Sequence, residues 1–186
     1  LLVLDGGMLE KGRDRLALLR YMMQLSRTHT VYPICGNCDG LVFRFFETDE
    51  LDGRFYASYL PQHPESTIRQ LADEMGFEDW MDFPGLRAAL RERYPEIHAW
   101  LAGLPTILET EHLVFVHGGV PSLEHMETLD RWKCMKNDDF RGQGHSFSKY
   151  VIVGHWPVTL YNPKIPSAAP LLDYDPEIIS RARALS

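Results

Sequence analysis

The chain has 186 residues, of which 45% are hydrophobic and 24% are charged, and its formal net charge is -7. This length and composition are typical of one globular domain with a sizeable core. The acidic balance, with no tract rich in Lys and Arg to offset it, argues against a general nucleic-acid binder.

Hydropathy and cysteine content indicate the cellular compartment in which we expect the protein. No apolar stretch approaches the roughly 20 residues that a membrane-spanning helix needs, so we expect no membrane partner. The three cysteines do not form the pattern of a disulfide framework. Because free cysteines are typical of reducing compartments, the sequence predicts a cytoplasmic protein.

The beginning of the chain predicts a strand, a helix and a second strand. Residues 1–5 form a short, continuous apolar run, which is typical of a buried strand. Residues 14–28 carry leucines and methionines at helical spacing, and residues 31–35 form another apolar run that ends at Gly36. A strand, a helix and a strand in this order predict parallel strands joined by a right-handed crossover.

A helical insert and two more strands follow. Residues 43–104 are predicted to form the insert, within which residues 65–104 have a helical pattern with an apolar face. Residues 112–116 and 149–153 predict strands that end in glycine-containing turns, and the Pro-rich residues 156–170 predict a surface loop. Because neither a repeat nor a linker interrupts this pattern, we expect the whole chain, residues 1–186, to form a single α/β domain.

Three loops directly after predicted strands carry residue types that bind metals. Asn37 follows a glycine, His117 precedes two glycines, and His155 follows another glycine. Open α/β sheets gather the loops at the carboxyl ends of their strands along one edge, where their sites form. Nitrogen and oxygen ligands suit a divalent cation, which can activate water and neutralise phosphate charge. Together the loops predict a metal-dependent phosphoesterase.

Each of these residues also has a simpler interpretation. Asn37 alone is typical of a turn, because asparagine tolerates left-handed backbone geometry. His117 or His155 alone would more often be a histidine at a strand end that is bonded to a backbone carbonyl. The coincidence of three such loops after three strands favours metal binding.

The spacing of Cys35 and Cys38 allows a different function. Two cysteines separated by two residues at the end of a strand occur in thiol–disulfide redox centres. Against this hypothesis, Cys35 closes an apolar strand, as a small buried hydrophobic residue does. A zinc site of four cysteines is excluded within one chain, because only Cys134 remains.

The order and spacing of these motifs resemble those of the calcineurin-like metallophosphoesterases, in the branch of the serine/threonine protein phosphatases and the diadenosine tetraphosphatases. That family carries Asp-x-His-Gly, Gly-Asp-x-x-Asp-Arg-Gly, Gly-Asn-His-Glu, His-Gly-Gly and Gly-His in this order. The last four correspond here to residues 6–12 (Gly-Gly-Met-Leu-Glu-Lys-Gly), 36–39 (Gly-Asn-Cys-Asp), 117–119 and 154–155. The resemblance covers nearly the whole chain and implies β-sheet layers flanked by helices.

The resemblance also implies roles for individual residues. Asn37, His117 and His155 correspond to ligands of the second of two metal ions, which are Mn²⁺, Fe²⁺/Fe³⁺ or Zn²⁺. Lys11 stands where an arginine contacts the phosphate. Cys38 stands where a histidine protonates the leaving group, and Asp39 stands where an acidic residue orients that histidine.

The sequence departs from the family pattern near its beginning. Gly7 stands where an aspartate bridges the metal ions, and Asp5 could replace it only through a bulge or a shift in register. No Asp-x-His occurs in the chain, so the first motif and its strand unit are missing, and we expect an upstream portion of the domain to be absent. We therefore expect fewer metal ions and impaired activity. The alternative is a degenerate, phosphatase-like binding or regulatory module.

The expected substrate is a phosphorylated small molecule, a nucleotide or a phosphoprotein. Arg131 and Lys133 lie between the two histidine motifs and are the better candidates for binding its phosphate. Five arginines of the helical insert are weaker candidates, since most charged residues of such an insert form a solvated face. These are Arg44, Arg54, Arg69, Arg87 and Arg91.

Overall fold

The structure, a computed structural model, describes residues 2–10, 14–47, 53–140 and 146–156. Residues up to His155 form one compact unit, and residues 156–186 form a second unit, of which only Trp156 is described. The described residues contain helices and strands in a mixed α/β arrangement. The strands are β1 (Leu2–Asp5), β2 (Val31–Ile34), β3 (Ile107–Glu109), β4 (Leu113–Val116) and β5 (Tyr150–Ile152). The helices are α1 (Arg15–Thr28), α2 (Asn37–Glu47), α3 (Gly53–Gln62), α4 (Thr67–Glu74), α5 (Phe83–Arg93), α6 (Pro95–Ala102) and α7 (Arg131–Met135).

The described strands form two small sheets. β1 and β2 are parallel neighbours, with Asp5 opposite Ile34, and α1 connects them. The second sheet has the order β3-β4-β5, in which β3 is antiparallel and β5 is parallel to β4. A main-chain hydrogen bond of 2.7 Å from Cys35 to Pro105 links the end of β2 to the segment that enters β3. This bond links the two small sheets near the ends of their strands.

Helices α1 to α6 build the larger hydrophobic core. α1 turns Leu16, Leu19 and Met23 inward, while Leu18 and Tyr21 on its opposite side are exposed, as the helical spacing predicts. Burying a large apolar side chain stabilises the fold by about 1.5–3 kcal/mol. The largest buried side chains of the helical insert are those of Phe45, Phe46, Leu60, Ile68, Leu71, Leu86, Leu90, Ile97 and Leu101.

Arginines of the insert stabilise this helical packing. Nε of the buried Arg87 donates to the carbonyl of Phe45 at 2.8 Å, and the guanidinium of Arg91 donates to the carbonyl of Glu47 at 2.6 Å. Both carbonyls lie in the last turn of α2, where helix geometry leaves them without intrahelical partners. Arg69 stacks on the ring of Trp80, with Cζ 4.1 Å from the centroid. These three arginines therefore serve the fold.

Most predicted elements agree with the structure to within one or two residues. The first two strands, the helix between them, the helical insert and the last two strands all form. β3 and α7 were not predicted. The predicted surface loop at residues 156–170 lies, apart from Trp156, outside the described residues. None of the helices in the described parts of the chain has the length and apolar character required to span a membrane.

Candidate metal centre

The loops that follow β1, β2 and β5 close around the imidazole of His117, which lies at the end of β4. A Cβ added to Gly6 would lie 2.6 Å from Nδ1 of His117, and one added to Gly36 would lie 3.0 Å from Nε2. A Cβ on Gly154 would lie 3.4 Å from Nδ1 and 2.8 Å from the carbonyl of Asp5. Glycine at these positions therefore allows the loops to approach a buried histidine this closely.

The hydrogen bonds of His117 indicate which ring nitrogen carries its proton. Nδ1 lies 2.7 Å from the main-chain carbonyl of Asp5. Because a carbonyl can only accept, Nδ1 is the donor. In a neutral imidazole the other nitrogen, Nε2, then presents a lone pair. This nitrogen faces Oδ1 of Asn37 at 3.1 Å.

His155 repeats this arrangement with its ring nitrogens exchanged. Its Nε2 lies 3.1 Å from a carboxylate oxygen of Asp138, which can only accept, so Nε2 is the donor. Nδ1 of His155 then presents its lone pair to the same Oδ1 of Asn37, again at 3.1 Å. With both imidazoles neutral, Oδ1 of Asn37 thus faces two acceptor nitrogens at 3.1 Å, and each contact is repulsive unless a positive charge lies nearby.

The converging atoms have the composition of a divalent-metal site. Imidazole nitrogen and amide oxygen are ligands for Mn²⁺, Fe²⁺ and Zn²⁺. Each histidine donates its other N–H to an oxygen, as metal-bound histidines do. Nowhere in the described ranges do three His, Cys, Asp or Glu side chains form a metal-binding group. The cluster here contains only two such side chains, and its third donor is the amide of Asn37.

The carboxylate of Asp5 is a further candidate donor. Both of its oxygens are buried and have no hydrogen-bond partner among the described residues. Burial raises the pKa of Asp5 to about 7, because desolvation disfavours the charged form. An added Cβ on Gly154 would lie 3.1 Å from Oδ2, so this carboxylate lies beside the loop that carries His155. A cation held nearby would compensate the buried charge.

The carboxylate of Asp39 has a structural role. Its Oδ2 accepts hydrogen bonds from the amides of Gly7 (2.9 Å) and Gly36 (2.8 Å), and its Oδ1 accepts from the amide of Leu9 (2.8 Å). Burial raises its pKa to about 6, and these backbone hydrogen bonds oppose the shift. Asp39 therefore attaches the loop after β1 to the start of α2. Its expected role of orienting Cys38 stays a prediction beside these contacts.

Among the described residues, neither cysteine of the Cys-x-x-Cys segment forms a disulfide, and both are buried. Sγ of Cys38 accepts a weak hydrogen bond from Nδ2 of Asn37 at 3.7 Å, which places the thiol next to the proposed ligand set. Burial raises the pKa of Cys35 to about 12, and the neighbouring Asp39 carboxylate adds to the shift. A redox cysteine needs a stabilised thiolate, so the environment of Cys35 weighs against the thiol–disulfide hypothesis.

The remaining predicted residues differ in where they lie. Lys11 lies outside the described residues. Gly7 has a φ of +66°, and an added Cβ would lie 3.5 Å from Cε1 of His117, so the position where the family carries aspartate faces the candidate centre.

The two residues expected to bind the phosphate line different cavities. The guanidinium of Arg131 donates to the carbonyl of Leu104 at 3.1 Å, in a groove along β3. Lys133 instead lines a cavity of about 470 Å³ that Asp138 also lines.

Sequence reasoning missed Asp138, which contacts His155 from the segment that follows α7. This segment is polar and carries no strand followed by glycine, so it had none of the signals that identified the other loops. The signal that could have identified it is the His-Gly-Gly sequence, because Gly118 and Gly119 allow another segment of the chain to pack closely against the loop after β4.

A comparison of the chain with protein-family models, with curated proteins and with solved structures gives no match.

Proposed function

We propose that this protein is a metal-dependent phosphoesterase of the calcineurin-like type. The observation that supports this proposal is the convergence of His117 Nε2, His155 Nδ1 and Asn37 Oδ1, each histidine nitrogen lying 3.1 Å from the amide oxygen. These are the residues at which the sequence resembles the metal ligands of that family. Geometry and motif order thus support the same site.

The described residues would hold a divalent cation through two imidazoles and one amide, with the Asp5 carboxylate close by. Such a cation supplies an activated water and neutralises the charge that develops on a phosphate ester. The protein contributes fixed ligand orientation, since the carbonyl of Asp5 and the carboxylate of Asp138 hold the two rings. Its substrate would be a phosphate ester or a nucleotide.

The proton that the leaving group needs would come from a thiol in this chain. Cys38 occupies the position of the family's general acid, and its thiol is next to Asn37. A thiol is a weaker hydrogen-bond donor than an imidazolium. We therefore expect slow hydrolysis of ordinary esters and faster hydrolysis of esters whose leaving group needs no proton, such as p-nitrophenyl phosphate.

A second candidate function is a metal-binding module without turnover. Two observations favour it: Gly7 provides no carboxylate beside His117, and Cys38 provides a thiol in place of an imidazole. Such a module would bind a cation, and through it a phosphate group, without cleaving the ester. The two candidates share the metal centre and differ only in catalysis.

Hydrolysis of p-nitrophenyl phosphate by the Mn²⁺-dialysed chain tests the proposal. The His117→Ala/His155→Ala variant should lose the activity. A matched control is His112→Ala/His125→Ala, which removes two histidines whose side chains are 78% and 81% exposed and should leave the rate unchanged. Equal rates in the parent and in both double variants would contradict the proposal. Metal binding without hydrolysis would establish the second candidate.

A further inference from the structure

The contact between Asp138 and His155 extends the candidate metal centre beyond its ligands. Asp138 Oδ1 lies 3.1 Å from Nε2 of His155, while the opposite ring nitrogen faces Asn37. The imidazole is only 12% exposed and the carboxylate 53% exposed, so the pair lies at the margin of the site. A partly desolvated carboxylate that accepts from a histidine fixes both the tautomer and the ring orientation.

The fold positions Asp138 through close packing on Gly118. The amide of Gly118 donates to the carbonyl of Cys134 at 2.7 Å. A Cβ added to Gly118 would lie 2.8 Å from the main-chain atoms of Cys134, Lys136 and Asn137. Because this approach requires glycine, the residue after His117 determines where the segment that follows α7 runs. Through this contact, the loop after β4 places the carboxylate of Asp138 beside His155.

The adjacent Gly119 fixes the far end of the same segment. Its φ is +115°, and an added Cβ would lie 2.4 Å from the ring of Phe140, which is buried. Asp138 is therefore held between two anchored points, at Cys134 and at Phe140. Lys136 approaches its other carboxylate oxygen at 3.7 Å, which leaves Oδ1 directed to His155.

We propose that Asp138 is a positioning residue that holds His155 with Nε2 protonated and Nδ1 available to bind a metal ion. This inference rests on the proposed metal centre and adds a residue to it. Removing the carboxylate takes away the acceptor of the Nε2–H and leaves Oδ1 of Asn37 as an acceptor for an Nδ1–H, which favours the opposite tautomer. Loss of such a partner typically lowers metal affinity by roughly 10–100-fold. The neighbouring Asp139 is exposed and provides a matched control.

Two measurements on the full chain test this role. Long-range ¹H–¹⁵N correlation spectra of the metal-free protein report the His155 tautomer, with His155→Ala used to assign its signals. Equilibrium binding of Mn²⁺ reports the affinity. Asp138→Ala should lose the Nε2–H form and bind Mn²⁺ roughly 10–100-fold more weakly. Asp138→Glu should restore most of both properties, and Asp139→Ala should change neither.

The outcomes separate this inference from the proposed function. An unchanged tautomer and unchanged Mn²⁺ affinity in Asp138→Ala would overturn the positioning role while leaving the metal centre in place. If the parent binds no Mn²⁺, the proposed function fails, and the spectra still decide the role of Asp138. In that case loss of the Nε2–H form in Asp138→Ala supports the role, and its persistence overturns it.

Discussion

The Nδ1–H of His117 donates to the main-chain carbonyl of Asp5 at 2.7 Å, which joins the end of β4 to the end of β1. This bond determines the direction in which the other ring nitrogen presents its lone pair. It depends on glycines that allow the loops to close around the ring. The tautomer of His117 is therefore a consequence of backbone packing. Substitutions of the glycines test this dependence.

Replacing Gly6 with alanine should displace His117. The added Cβ would lie 2.6 Å from Nδ1, and the residue has a φ of +69°. We expect a loss of about 1–2 kcal/mol of unfolding free energy from the backbone conformation. Steric overlap of the added methyl group with His117 should lower the unfolding free energy by a further ~1–3 kcal/mol. Urea denaturation measures the total, and Mn²⁺ affinity should fall with it.

Gly76→Ala is the matched control for Gly6→Ala. Gly76 has nearly the same φ, +68°, and an added Cβ there meets nothing within 4 Å. It should therefore show the backbone cost alone and leave Mn²⁺ binding intact. Equal destabilisation by the two substitutions would mean that Gly6 does not pack against the histidine as described.

Replacing Gly7 with aspartate should strengthen metal binding. An added Cβ there is in ordinary contact with Cε1 of His117, at 3.5 Å, so a carboxylate would reach the proposed ligand set. The φ of +66° costs about 1–2 kcal/mol of stability for any L side chain. Gly7→Ala carries the same cost without the carboxylate. We expect at least a roughly tenfold higher Mn²⁺ affinity for Gly7→Asp than for Gly7→Ala.

Calorimetric titration of both Gly7 variants measures this difference. Comparison with the alanine variant removes the backbone effect, which is common to both. If the aspartate variant binds Mn²⁺ no more tightly than the alanine variant, position 7 does not face the metal centre. A gain in hydrolysis by Gly7→Asp would further show that the other catalytic groups are in place.

The metal-free protein should lose stability as the pH rises from about 4 to about 7. The folded-state pKa of Asp5 is about 7, above its ordinary value of 3.8, so the folded state binds more protons than the unfolded state in this range. Linkage then makes the unfolding free energy fall with rising pH until Asp5 is ionised in both states. Asp39, with a pKa of about 6, contributes in the same direction.

Asp5→Asn should reduce this pH dependence, because the amide cannot ionise. Thermal unfolding at a series of pH values in the presence of a chelator measures it for the parent and the variant. If the unfolding free energy of the parent does not fall relative to that of Asp5→Asn between pH 4 and pH 7, the pKa of Asp5 is not raised by burial. Identical slopes in the two proteins would assign the dependence to other groups.

The sequence predicts most of the elements, and it singles out Asn37, His117 and His155, which the structure brings together, because local patterns carry that information. Apolar runs mark β1, β2, β4 and β5, and each is followed by a glycine-containing segment that reaches the centre. The division into two sheets could not be predicted, because strand pairing depends on contacts between distant segments. β3 is only three residues long, which is too short for a periodic signal.

The roles of the carboxylates could not be predicted from their positions in the chain. Asp39 follows the Cys-x-x-Cys segment closely, yet its oxygens accept from backbone amides of the loop after β1, about 30 residues away. Asp138 reaches His155 only because Gly118 lets the chain approach. The carboxylate oxygens of Asp5 are buried with no hydrogen-bond partner among the described residues, which depends on the loops that cover them. Each role is set by tertiary packing.

Binding of Mn²⁺ to the full chain tests the central claim most directly. The parent, dialysed against Mn²⁺ and then against buffer, should retain about one ion per chain. The His117→Ala/His155→Ala variant should retain none, whereas the control variant His112→Ala/His125→Ala should match the parent. Absence of metal from the parent, or equal retention by both double variants, would contradict the claim that His117, His155 and Asn37 form a metal centre.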